Sequence, residues 1–154
     1  MAIAETGAGP FEPRYVSTPI YDRTTRHFID PNRYTSPGLA AALADHAVEL
    51  EHEIPGSIED VVVGVRALLA HLNGVDSAAD LTLGDLTAEH VTGWESALRI
   101  EQARTGTNTA YNRFVTVRAL LARIAGDDPD QVHSSLRDLL DHSTVTTLTY
   151  TPGT

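Results

Sequence analysis

The chain has 154 residues and a formal charge of −10, from 21 acidic side chains against 11 basic ones, all of them arginine. The absence of cysteine excludes a disulfide framework and a thiolate metal site, and the acidity disfavours indiscriminate attraction to nucleic acid. No apolar run reaches the roughly 18 residues that a membrane helix needs, and Met1 to Glu5 lack the basic start of a signal peptide, so a cytoplasmic protein is expected.

Residues 1–36 carry Pro10, Pro13, Pro19 and Pro31 among the aromatics Phe11, Tyr15, Tyr21, Phe28 and Tyr34. No helical or alternating period holds there, which predicts an extended arm able to lay its aromatics on the domain or on a partner. Ser36-Pro37 reads as an N-cap followed by a first-position proline. The helix it opens is expected to reach about Glu53, with Leu39, Leu43, Ala47 and Leu50 inward, before Pro55-Gly56. Ser57 to Asp60 opens a second helix with the stripe Val61, Val65, Leu68, Leu69 and Leu72. Asn73-Gly74 predicts a left-handed end to it.

A short ordered connector with Leu81, Leu83 and Leu86 inward leads to Thr87 as the next cap, with Leu86 and Val91 as a hydrophobic staple. Val91, Trp94, Ala97 and Leu98 form the buried face of this third helix, which Gly106 ends. Thr107 or Asn108 caps a fourth helix with Ala110, Phe114, Val117, Leu121 and Ile124 inward and Gly126 closing it. Asp128-Pro129 predicts the start of a fifth, with Val132, Leu136, Leu139 and Leu140. Residues 143–154 are uncharged and β-prone, a tail or linker. The fold class is therefore all-α: a bundle of about five helices over residues 37–142, with an extended N-terminal arm and a short tail.

Within residues 99–125, Arg99, Arg104, Arg113, Arg118 and Arg123 stand against Glu101 alone. This positive segment includes the polar start of the fourth helix, where free amide groups and the helix dipole favour an anion. Nucleic-acid phosphate is the natural candidate. The candidate DNA-contacting residues are Thr107, Asn108, Thr109, Tyr111, Asn112, Arg113 and Arg118, with Arg104 nearby. Arginines five positions apart are turned by roughly 140°, so Arg113, Arg118 and Arg123 cannot share one narrow stripe, and a solvated face is the competing reading. Trp94 and Phe114 are in phase with their apolar faces and are expected in the core. Tyr111 lies off that face and is the better exposed aromatic.

Leu81-Thr82 with Asp85-Leu86-Thr87-Ala88-Glu89-His90-Val91-Thr92-Gly93-Trp94 resembles a segment of the core-binding domain of tyrosine recombinases, the phage-integrase type. Thr107-Asn108-Thr109-Ala110-Tyr111-Asn112-Arg113, followed by Leu120-Leu121, resembles the later helix of the same domain, and Gly126-Asp127-Asp128-Pro129 its next boundary. The resemblance spans roughly residues 37–142 and is clearest over 80–130. It implies a SAM-like helical bundle that grips one face of a DNA site during integration or recombination. It also implies that Thr107, Thr109, Asn112 and Arg113 fall at positions that meet double-stranded DNA. The family's catalytic residues belong to a separate domain with no counterpart here, so a non-enzymatic binding role is expected.

No nucleophile elbow or phosphate loop is visible, and no cofactor is expected. His46, Glu49 and Glu53 share a helix face with His52 near, but lack the convergent ligands of a zinc site, so no metal is expected. The alternative function is a helical adaptor or regulatory protein, binding another protein through residues 1–36 or through the acidic helix faces.

Overall fold

The computed structural model describes residues 14–20, 23–49, 58–75, 77–141 and 148. Their body is an all-α bundle: α1 (Pro37–Glu49), α2 (Ile58–Asn73), α3 (Ala88–Thr105), α4 (Thr109–Asp127) and α5 (Ser134–Leu140). None of the described helices is long and apolar enough to cross a membrane.

The arm is extended, as expected, but it is also paired. Strands β1 (Arg14–Ile20) and β2 (Arg23–Ile29) form an antiparallel ladder running from Arg14 opposite Ile29 to Ile20 opposite Arg23. The pair lies against α1 and α2. β-Branched residues at Val16, Thr18, Ile20, Thr24, Thr25 and Ile29 favour this conformation. Pro19 is tolerated because each strand of a two-stranded ribbon has an unpaired edge.

Ser36 precedes α1 as expected, but its side chain is directed elsewhere. The buried hydroxyl donates to the Ala78 carbonyl at 2.7 Å and accepts from the Leu81 amide at 2.9 Å. Asp80, left-handed at φ 57°, donates its amide to the Thr35 carbonyl at 2.9 Å, which fixes the same connector. The expected continuation of α1 to Glu53, with Leu50 inward, lies outside the described residues.

The expected left-handed close at Gly74 does not occur: its φ is not positive, and α2 ends on hydrogen bonds from Gly74 to His71 and Val75 to Leu72. Asn73 instead accepts the Thr35 amide at 2.8 Å. In the connector the Asp85 carboxylate accepts from the amide (3.0 Å) and hydroxyl (2.9 Å) of Thr82, bonds that hold it below the usual carboxylate range.

α3 begins and ends where the caps predict. Thr87 accepts from the His90 amide, and the His90 ring answers by accepting from the Thr87 amide at 3.0 Å. Leu86 and Val91 are both buried, and Gly106 closes the helix at φ 68° with its amide on Gln102. The expected inward face holds at Val91, Trp94 and Leu98, whereas Ala97 is exposed. α4 buries Ala110, Phe114, Val117, Leu121 and Ile124 as expected, with Leu120 besides, and runs past Gly126 to Asp127.

Asp128-Pro129 starts a 3-10 turn (Pro129–Gln131) rather than α5 itself. α5 follows His133, whose ring accepts the Ser135 amide at 3.1 Å. Its Ser135 hydroxyl in turn accepts the Ala88 amide at 3.1 Å, which links the starts of α3 and α5.

The most extensive helix–helix contact joins α2 to α4, and α3 packs on the adjoining side of α4. Trp94 and Phe114 meet there with ring centroids 5.6 Å apart, both 2% exposed. Leu148 is buried in the same core, while the rest of the expected tail or linker, residues 143–147 and 149–154, lies outside the described residues.

Candidate nucleic-acid interface

The corner where α3 turns into α4 carries the sequence candidates, and the fold treats them differently. Gly106 reverses the chain, and a small polar network follows it. The Thr105 and Thr107 hydroxyls lie 3.2 Å apart, the Thr107 amide donates to Thr105 Oγ1 at 3.4 Å, and Gln102 donates to the Thr107 carbonyl at 3.4 Å. Thr107, Thr109 and Asn112 are exposed. Asn108 occupies the N-cap position of α4, and its carbonyl accepts the Asn112 amide at 2.9 Å. Tyr111 is half-buried and packs on the core, which corrects its placement as an exposed contact.

Arg113 projects toward α3, where its Nη1 lies 3.7 Å from Glu101 Oε2. Its side chain is 33% exposed, and its Nε is buried without a hydrogen-bond partner. An exposed pair at this separation contributes about 0–1 kcal/mol, so Glu101 holds the guanidinium loosely.

Arg118 departs from expectation completely. Its Nη2 donates to the Leu139 carbonyl at 3.3 Å and to the Leu140 carbonyl at 3.1 Å, closing the carboxyl end of α5. It therefore holds the fold rather than offering its charge to a ligand. Removing it in Arg118→Ala is expected to lower the unfolding free energy by about 2 kcal/mol in urea titration, the scale of lost charge-assisted bonds. A substitution there that left stability unchanged would contradict this role.

Arg123 pairs with Asp127 one helical turn on, at 3.7 Å. Arg99 and Arg104, both exposed on α3, form no ion pair among the described residues. They extend the positive field of the corner along α3. The partner of Arg113 was the feature that sequence alone did not supply, although Glu101 is the single acid within residues 99–125.

Away from this corner, His46 engages Glu49 at 3.1 Å and Gln131 at 3.3 Å. No group of three histidine or carboxylate side chains able to hold a metal occurs among the described residues, and His52 and Glu53 lie outside them.

Comparison of the chain with protein-family models, with curated proteins and with solved structures finds no match.

Proposed function

We propose that this chain is a non-catalytic DNA-binding module that meets the phosphate backbone with the start of α4. The observation that carries the reading is the exposed edge of Thr107, Thr109 and Asn112 at the helix start, with a loosely held Arg113 beside it. Hydroxyl, amide and guanidinium donors of this kind position a protein on phosphate without reading sequence. Arg99 and Arg104 add positive potential where the chain as a whole is negative. The resemblance of residues 80–130 to the recombinase core-binding domain supports the same surface.

Because the body repels DNA elsewhere, binding is weak, and its salt dependence is that of a few phosphate contacts. Fluorescence anisotropy with a labelled duplex across a sodium chloride series is expected to give a log–log slope of roughly −2, about two phosphates neutralised. Arg113→Ala is expected to make that slope shallower by about one unit. A flat response down to low salt overturns the reading.

The internal engagement of Arg118 and the net charge of −10 favour a second reading, a helical adaptor that binds another protein. Its mark is partner binding that survives Arg113→Ala and is lost when acidic helix faces are neutralised. Deleting residues 1–36 is a poorer test, since it would also strip β1 and β2 from α1 and α2.

A further inference from the structure

The solvent face of α3 has a pattern that the bundle itself does not explain. Glu89, Gly93, Ser96, Ile100 and Ala103 recur at spacings of four, three, four and three, and all are exposed. That spacing puts them on one seam of the helix, as in two helices packed side by side. Ile100 stands out of this seam 72% exposed, the most exposed large apolar side chain among the described residues.

Gly93 has no packing reason within the bundle. A Cβ built on it would meet nothing within 4 Å, yet glycine in a helix interior weakens the helix. Beside it lies a hollow of about 200 Å³, walled by His71, Leu72, Val75, Glu89 and His90. Burial pushes the His71 ring below its ordinary value, which favours the neutral form of that side chain. Ile100 and Gly93 lie seven residues apart, nearly in line and about 10 Å from each other along the axis.

From these features we infer that α3 is the contact face of a homodimer, with two copies of the chain crossing antiparallel about a two-fold axis between Ser96 and Ala97. One register pairs the central positions of the seam and leaves Ala103 at its flank. It sets Ile100 over the partner's Gly93 and beside the hollow, and it sets Arg104 against the partner's Glu89. Symmetry repeats both contacts. The small residues Ser96 and Ala97 at the crossing let the two backbones approach. The acidic start and basic end of the face make it complementary to its own inverted copy. A parallel arrangement would instead place like charges together. The seam lies on α3 and leaves the start of α4 outside it, but it draws on Arg104, whose charge the partner's Glu89 would engage in the dimer.

Sedimentation equilibrium of the full chain over micromolar to millimolar concentration tests this. A contact of one helix face is small, and a dissociation constant of about 10–500 µM is expected. Ile100→Ser is expected to weaken association at least about tenfold, by removing the apolar group from the hollow. Glu89→Arg and Arg104→Glu each place like charges in contact and are expected to weaken it about fivefold. The double variant restores the pairing and returns the constant to within about twofold of the parent. All three positions are exposed, so circular dichroism serves to confirm that each variant stays folded. A chain that remains monomeric at millimolar concentration overturns the inference and leaves this face to another partner. A dimer indifferent to these substitutions, or a double variant no better than the singles, overturns it equally.

Discussion

Gly64→Ala is expected to lower the unfolding free energy by about 2 kcal/mol and the melting temperature by roughly 5–10 °C. In α2 this glycine sits where α4 crosses, and a Cβ would lie 2.8 Å from Val117 Cγ2, 2.9 Å from the Arg113 carbonyl oxygen and 3.0 Å from Thr116 Oγ1. Val117 can rotate and Thr116 can yield, but the Arg113 carbonyl belongs to the backbone of α4. The helix must move as a body, and overpacking of this kind costs about 1–3 kcal/mol, occasionally more. Because the clash is with backbone, the cost falls at the upper end of that range, about 3 kcal/mol, and the return of up to about 1 kcal/mol in helix propensity leaves the stated net loss. A larger residue such as leucine at position 64 is expected to prevent folding of the α2–α4 pair.

The control is Gly93→Ala, the same change in α3, where the new methyl meets nothing within 4 Å. It is expected to raise stability by about 0.5–1 kcal/mol when measured in urea at dilute, monomeric concentration. Opposite signs for the two variants are the specific expectation, and a destabilised Gly93→Ala or a neutral Gly64→Ala would contradict the packing described. The Gly64 contact also bears on the candidate site, because the carbonyl it presses against is that of Arg113. Displacing α4 there moves the start of that helix relative to Glu101. Weaker DNA binding should therefore accompany the loss of stability.

Trp94→Ala is expected to be more damaging still, at about 4 kcal/mol, within the range for removing a buried aromatic. The indole is 2% exposed and packs on Phe114 at 5.6 Å with the rings tilted 42°. It anchors the middle of α3 to α4, so its loss leaves a cavity between the two helices that form the corner. Against a typical total of about 5–15 kcal/mol, that loss leaves a marginal fold. Chemical unfolding followed by circular dichroism measures it directly, since the substitution removes the chain's only tryptophan. Trp94→Phe is expected to recover more than half of the deficit by refilling the space. If alanine cost less than about 1 kcal/mol, the indole would not be the element that joins α3 to α4.

The corner's local shape was legible in the sequence to a useful depth. Thr87 and Gly106 mark the ends of α3, and the apolar repeat from Ala110 to Ile124 sets the inward face of α4. That repeat also gives the exposure of Thr107, Thr109 and Asn112 and the burial of Phe114. What the arginines do was not legible. Arg113 and Arg118 look equivalent along the chain, yet one lies near Glu101 and the other closes α5 through carbonyls 21 and 22 residues away. Long cationic side chains take the best acceptor within reach, and reach is a property of the assembled bundle.

Helix periods and the two caps of α3, which depend on neighbours within about four residues, were determined by the sequence alone, and with them the all-α class and most of the core. Contacts between distant segments were decided only by the tertiary structure. The Ser36 hydroxyl serves the connector rather than its own helix, and the apparent cap at Gly74 gives way to a bond between Asn73 and Thr35. The arm pairs as β1 and β2, and Gly64 proves necessary only because α4 crosses it. A local signal states which conformations a segment can adopt at low cost. Which groups then satisfy one another depends on how the helices come together in space.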